Sequence, residues 1–346
     1  MDAEAILPPL LELHGRIRAA VVEACTGRDT AHLSAVSAEE SGDTIYGIDR
    51  VSEEVLVDGL GALARKAPIC VVAEGLPGGV MVLPRGAREE DCRWRVLVDP
   101  IDGTRGLMYQ KRSGWILTGV APNRGADTRL RDIVLAVQTE IPLLKQHLSD
   151  QLWAFRGLGV QARRFDRLSG SEAILRLSPS KSATIAHGFA TVVRFFPGAR
   201  DLLAAIDDEL ALELLGPALP GKAQCFEDQY ACTGGQLYEL MAGHDRFIAD
   251  LRPLLAPVLA SRGAPKPLCC HPYDLATALI AEELGVVLTD ARGAPADAPF
   301  DVTTDVGWVG YANGALRAAV EPVLQRALRR HRLLAGGPQT PLTPEY

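Results

Sequence analysis

Residues 94–104 read Trp-Arg-Val-Leu-Val-Asp-Pro-Ile-Asp-Gly-Thr. A short, nearly continuous apolar run of this kind fits a strand buried on both faces, which requires a sheet covered on both sides. The run ends on two carboxylates three positions apart, Asp99 and Asp102. Pro100 fixes the turn between them, and Gly103 lets the backbone come close to a ligand. Thr104 is placed to open a helix, where N–H groups attract an anion. Two hard oxygen ligands beside such a helix start suit a divalent cation together with a phosphate. The same residue types also make an ordinary turn and helix cap, so the motif has to be weighed with the rest of the chain.

That rest alternates between the two periodicities. Helical spacing of apolar residues predicts helices over 9–26 and 48–66, separated by a polar stretch at 39–44. Residues 69–73 form a second buried strand, followed by a loop at 75–79, and further strands are expected at 115–121, 133–139, 152–156 and 160–165. After about residue 170 the pattern turns helical, at 201–215, 234–241, 275–284 and 314–334, with strands at 286–289 and 308–311. The class is therefore mixed α and β. The 346 residues divide into an N-terminal half, 1–170, a C-terminal half, 171–335, and a loose tail at 336–346 carrying three prolines.

Composition narrows the function. Lys plus Arg number 36 against 43 Asp plus Glu, a net charge of −7. An acidic chain is a poor partner for a nucleic-acid polymer or an anionic membrane. No window is long and apolar enough to span a bilayer. The first residues, Met1-Asp-Ala-Glu, carry acids where a secretion signal carries Lys or Arg. Seven scattered cysteines, an odd count without Cys-x-x-Cys, fit reduced thiols. A cytoplasmic location is expected.

Residues 99–104 resemble the signature of the inositol monophosphatase family, within the wider fructose-bisphosphatase-like superfamily of metal-dependent phosphatases. Three other stretches match in family order. Asp49-Arg-Val-Ser-Glu53 resembles its Asp-x-x-x-Glu at the start of a helix, and Val71-Val-Ala-Glu74 its strand ending in a metal-binding Glu. Tyr273-Asp-Leu-Ala, with Glu282 to Asp290 after it, resembles its C-terminal Trp-Asp-x-Ala block, and Thr233-Gly-Gly235 its upstream Gly-rich turn. There are departures. Gly75 stands where many relatives have a second acid, Tyr273 replaces Trp, and Glu227-Asp-Gln-Tyr230 stands where relatives carry a Gly/Ser-type substrate segment. The chain is also longer than a typical member, with extra sequence between about 170 and 230.

The resemblance implies a layered αβαβα sandwich and hydrolysis of a small phosphate monoester, an inositol or sugar phosphate, dependent on two or three Mg²⁺ ions. Glu74, Asp99 and the Ile101 carbonyl would hold one ion, and Asp99, Asp102 and Asp274 a second; a third would lie near Glu74. Asp49 and Thr104 would polarise the attacking water, and the Gly103 and Thr104 N–H groups would hold the phosphate. Apart from the resemblance, Arg105 directly follows the motif and reads equally as a substrate contact or as a solvated side chain. A homodimer is also implied. The alternatives are a 3′(2′),5′-bisphosphate nucleotidase and a non-catalytic relative that binds metal or a phosphorylated ligand. Chemistry agrees with the first reading. Carboxylates at this density repel one another without cations, and a Thr hydroxyl bridged to Asp49 can orient water and relay its proton.

Other motifs read as structure. Cys269-Cys270-His271 offers zinc-ligand types, but no second pair with ligand spacing is near it, so ordinary buried thiols are expected. Ser180-Lys-Ser182 reads as a solvated loop rather than a second phosphate site. Arg326, Arg329, Arg330 and Arg332 suit a helix C-terminus.

Overall fold

The computed structural model describes residues 2–27, 33–34, 36–39 and 44–335, so the expected tail at 336–346 and residues 40–43 of the polar stretch lie outside the described residues. Helix α1 (Ala3–Cys25) is followed by a hairpin of β1 (Val36–Glu39) and β2 (Thr44–Tyr46), then by α2 (Gly47–Ala64). Helix α1 starts six residues earlier than its periodicity predicts and passes through Pro8 and Pro9. Their missing N–H groups would bond the carbonyls of Glu4 and Ala5, and both of those residues are exposed, so water can serve the carbonyls instead.

An eight-stranded sheet comes next. Its strands are β3 (Ile69–Ala73), β4 (Val80–Leu83), β5 (Trp94–Asp102), β6 (Gly114–Pro122), β7 (Leu135–Ile141), β8 (Leu148–Phe155), β9 (Val160–Asp166) and β10 (Glu172–Ile174), in the order β10-β9-β8-β7-β6-β5-β3-β4. Strands β3 and β5 are parallel, and the other neighbours pair antiparallel. The one-turn helix α3 (Thr104–Met108) sits between β5 and β6.

The second half folds around a four-stranded sheet ordered β11-β12-β14-β13, from β11 (Phe189–Val192), β12 (Asp245–Asp250), β13 (Val287–Thr289) and β14 (Trp308–Tyr311). Here β11 and β12 form the parallel pair. Helices α4 (Arg200–Leu215), α5 (Thr233–Met241), α6 (Ala256–Ser261), α7 (Ala278–Glu283) and α8 (Gly314–Arg330) complete the described chain. The sequence pattern misses β11 and β12. Residues 245–250, Asp-Arg-Phe-Ile-Ala-Asp, hold only three consecutive apolar residues between charges, too short a run to announce a strand.

Strand alternation explains the layering. Val96 and Val98 of β5 join Ile116 and Val120 of β6 in a core under α1 and α2. Leu97 with Trp115 and Leu117 faces the opposite way, into a core shared with α5, α7 and the small sheet. Helices α4 and α8 cover that sheet's far face. The five layers are thus α, β, α, β, α, the sandwich that the motifs imply. A polar pin holds the first helix in place: the buried His14 ring bridges Thr139 and Thr118 at 2.9 and 2.8 Å. Burial pushes its pKa down to about 3, so the ring stays neutral and offers one donor and one acceptor.

Candidate active site

Both sheets send the C-terminal ends of their parallel pairs to one cleft. In the large sheet Ala73 lies in register with Val98, so Glu74 and Asp99 leave adjacent strands side by side. A regular strand would send Asp99 and Asp102, three residues apart, to opposite faces. It does not, because Asp99 pairs with Leu117 while Asp102 pairs with Trp115, leaving one extra residue in β5. Pro100, which has no N–H for a ladder, lies in this bulge. The bulge turns both carboxylates to the same side.

Asp274 reaches them from the second half of the chain. It sits in the single 3₁₀ turn Pro272–Leu275, and its Oδ2 accepts the His271 N–H at 2.6 Å. One carboxylate oxygen each of Asp99, Asp102 and Asp274 lie within 4.8 Å of one another. Asp99 Oδ1 accepts the Ile101 N–H at 2.9 Å, and Asp102 Oδ2 accepts the Gly234 N–H. Gly234 has to be glycine: a Cβ there would stand 3.1 Å from that oxygen and 2.6 Å from Leu117. The Thr233-Gly-Gly235 turn therefore positions Asp102.

The electrostatics follow from the burial. Asp99 is pushed well above the usual carboxylate range, first by loss of solvent and then by the charges of Asp102, Asp274 and Glu74. Burial likewise raises Asp102 to about 6 and lifts Asp274, which also feels the charge of Asp102. Among the described residues no cationic side chain forms an ion pair with any of the three. Three hard oxygen donors, two buried and the third, Asp274, half-buried, that resist being charged together are a donor set for a divalent cation.

Beside them lies a hydroxyl–carboxylate pair. Asp49, in the first turn of α2, brings Oδ1 to 3.0 Å from Thr104 Oγ1, and the Ile101 carbonyl is 2.8 Å from the same hydroxyl. Gly103, at φ 86°, caps α3, and a Cβ on it would meet Cys232 Sγ at 2.8 Å. All nine residues read from the sequence as site residues line this cleft: Asp49, Glu74, Asp99, Ile101, Asp102, Gly103, Thr104, Arg105 and Asp274. Glu74 stands outside the tight group of three, although Asp99 and Asp274 both feel its charge. Where many relatives of the resembled family carry a second acid after Glu74, Gly75 leaves the space to the Glu53 carboxylate, which also lines the cleft.

Other motifs settle elsewhere. Tyr230 is a packing residue, its hydroxyl 3.0 Å from Trp115 Nε1 and 2.7 Å from the Ser113 carbonyl. Glu227 pairs with Arg194, and Asp228 with Arg112. Residues 180–182 meet Asn313 and do not line the cleft. Cys269 and Cys270 are buried, and burial lifts both thiols, Cys269 to about 12, which fits inert thiols. All seven cysteines are free of disulfides.

The small sheet contributes a wall that no motif announced. Phe195 and Phe196 follow β11, and Arg252 follows β12. Asp250 pins the Arg252 guanidinium, with Nε 2.8 Å from Oδ1 and Nη2 2.5 Å from Oδ2, and Nη1 donates to the Leu268 carbonyl at 2.7 Å. The guanidinium lies 4.7 Å from the Phe195 ring centre and 5.4 Å from that of Phe196. Arg105 approaches the same Phe196 ring at 5.3 Å. Because the strands before these residues were not legible in the sequence, neither was their convergence.

No protein-family model and no curated protein matches the sequence. Solved structures do match. Fructose-1,6-bisphosphatase from Leishmania major, in its holo form, superposes with a TM-score of 0.68 at 12% identity, over 94% of this chain and 93% of that one. The extragenic suppressor protein SuhB from Bartonella henselae gives 0.62 at 16% identity, over 93% and 99%. The Thermotoga maritima IMPase gives 0.60 at 16% identity, over 94% and 98%. The chain has the inositol monophosphatase/fructose-1,6-bisphosphatase fold, as its motifs imply. Among the described residues no helix is long and apolar enough to cross a membrane.

Proposed function

We propose that this chain is a Mg²⁺-dependent phosphatase acting on a small phosphate monoester, with an inositol or sugar phosphate as its substrate class. The observation that carries this reading is the convergence of Asp99, Asp102 and Asp274 beside the Asp49–Thr104 hydrogen bond. The fold supports it, since similar structures include proteins named as phosphatases. Asp99, Asp102 and Asp274, with Glu74 and the Ile101 carbonyl, would hold the Mg²⁺. When bound, Mg²⁺ neutralises phosphoryl oxygens and makes a nucleophile available near neutral pH.

The chain's own residues supply the remaining steps. Thr104 Oγ1 accepts a hydrogen bond from the attacking water and passes its own proton to Asp49 Oδ1, 3.0 Å away. A Thr hydroxyl is too weak a base alone, and the Asp49 carboxylate makes the relay feasible. Gly103 and Thr104 stand at the start of α3, where backbone N–H groups can cradle the phosphate. Reduced thiols throughout fit a cytoplasmic enzyme.

The test is phosphate release from a panel of sugar, inositol and nucleotide phosphates, with Mg²⁺ or with EDTA, beside Asp102→Asn. Release that requires Mg²⁺ and is lost in the variant is expected. A protein that binds Mg²⁺ yet releases phosphate from no ester would overturn the enzymatic reading in favour of a binding protein.

A further inference from the structure

Resting on that reading, we infer that Gln138 is a positioning residue for the cation: its buried amide ties the Gly234 turn, which holds Asp102, to Thr277, three residues after Asp274, and so sets the spacing of the two carboxylates. The argument begins with a misfit. Gln138 lies in the middle of β7, in register with Leu117 of β6 and Leu152 of β8. Both leucines are buried in the core shared with the small sheet, and Gln138 itself is 0% exposed. An apolar side chain is the ordinary occupant of such a row, because an amide gives up its hydration there. The amide is compensated by two bonds that leave its own sheet. Nε2 donates to the Gly234 carbonyl at 2.8 Å, and Oε1 accepts the Thr277 hydroxyl at 2.9 Å.

Those bonds reach both segments by which the second half of the chain meets the acids. The Gly234 N–H donates to Asp102 Oδ2 while its carbonyl accepts from Gln138, so the residue is fixed on both sides. Thr277 follows the 3₁₀ turn that carries Asp274 and stands directly before α7. A Thr in that place ordinarily caps the helix. This one makes no side-chain cap and turns its hydroxyl to Gln138 instead. Asp99 pairs with Leu117, and Leu117 with Gln138, so the amide also shares a row of the large sheet with the remaining acid. Neither Gln138 nor Thr277 lines the cleft. Their effect on a cation therefore passes through the placement of the carboxylates, as outer partners of metal ligands act.

The test uses Thr277→Val, which removes the hydroxyl and keeps the shape, beside Thr277→Ser, which keeps the hydroxyl, and Gln138→Leu. Calorimetric titration of the full-length protein with Mg²⁺ alone reads the site without turnover. The Mg²⁺ dissociation constant should rise about tenfold in Thr277→Val and at least as much in Gln138→Leu, and stay near the wild-type value in Thr277→Ser. If Gln138→Leu does not fold, the two Thr277 variants carry the test. Val137→Ala, the next residue of β7 and part of the opposite core, is the control: it should lower the urea midpoint in EDTA and leave the Mg²⁺ constant alone. An unchanged constant in Thr277→Val, or an equal rise in Val137→Ala, overturns the positioning role. Weakened Mg²⁺ binding in Thr277→Val, with no ester hydrolysed by the wild type, supports it and sinks the phosphatase reading. Mg²⁺-dependent hydrolysis with an unmoved constant does the reverse. A wild type that binds no Mg²⁺ overturns both.

Discussion

The two sheets present the cleft with the same device and opposite chemistry. In each, a parallel pair points its C-terminal ends inward: β3 and β5 in the large sheet, β11 and β12 in the small one. The first delivers Glu74, Asp99 and Asp102, and the second delivers Asp250 and Arg252. Asp250 and Asp99 are both buried acids, at 0% and 4% exposure. Asp250 carries its own cation two residues on, so its charge is balanced within the chain. Asp99 has Asp102 and Asp274 as neighbours and is pushed away from ionisation. A buried acid with a guanidinium completes a fold; two buried acids with a half-buried third beside them leave a charge deficit that a ligand has to meet.

The largest expected effect breaks the balanced side. Arg252→Met would leave Asp250 buried without its partner, which destabilises by about 3–5 kcal/mol in comparable buried pairs. Adding Asp250→Asn should recover most of that loss, because the cost lies in the stranded charge. Urea unfolding of the single and double variants measures both. If Asp250→Asn recovers nothing, the pair is not what holds this loop.

The next effect belongs to the unbalanced side, and its sign is opposite to that of an ordinary paired carboxylate. Asp102 has its pKa raised to about 6, above the usual carboxylate value near 4. In that interval the folded state holds a proton that the unfolded state has lost. Its contribution is therefore fully present below about pH 4 and is lost as the pH rises through about 6. Measured in EDTA, Asp102→Asn should gain on the wild type across that window, by about 2–3 kcal/mol at most. Mg²⁺ should cancel that gain at a hundred times Kd, where binding adds about 2.7 kcal/mol to a site only the wild type holds intact, and reverse the order at a thousand times Kd, where it adds about 4.1 kcal/mol. Thermal unfolding across pH, with EDTA and with Mg²⁺, reads both signs. A wild type that outlasts Asp102→Asn at pH 7 in EDTA would mean the carboxylates are already compensated.

The two sides also differ in how far the sequence reveals them. Residues 94–104 combine a buried strand, two acids, Pro and Gly, and each residue type states its own role, so the acidic wall is legible in one dimension. Asp274 is legible only through its Tyr-Asp-x-Ala setting. The bulge at Pro100 is not, because a one-residue slip against β6 depends on the partner strand. Nor is the Glu53 carboxylate beside Gly75, a contact across 22 residues that only the packing of α2 creates. The basic wall is not legible at all. Phe195, Phe196 and Arg252 lie in ordinary loops, and their meeting depends on the parallel pairing of two short strands that local pattern does not declare.

The smallest expected effect comes from a third setting for the same charges. The arginines near the end of α8 read from sequence as a match for the helix dipole, and the structure gives two of them partners across to α4. Arg330 pairs with Glu209 and Glu213, and Arg326 reaches Glu213 at 2.7 Å. These guanidiniums are about half exposed, 47% for Arg330, whereas Arg252 is enclosed. Water already solvates the exposed groups in the unfolded chain and continues to do so in the folded one, so little is gained by pairing them. Arg330→Gln should cost under about 1 kcal/mol, and the cost should shrink further as salt shortens the range of the charges. The Arg252→Met penalty should change little over the same salt range, because mobile ions do not reach Asp250. Urea midpoints at low and high ionic strength test the pair of expectations together. Equal salt dependence at the two arginines would mean that Arg252 is open to solvent, and the contrast between a balanced buried wall and an ordinary surface would collapse.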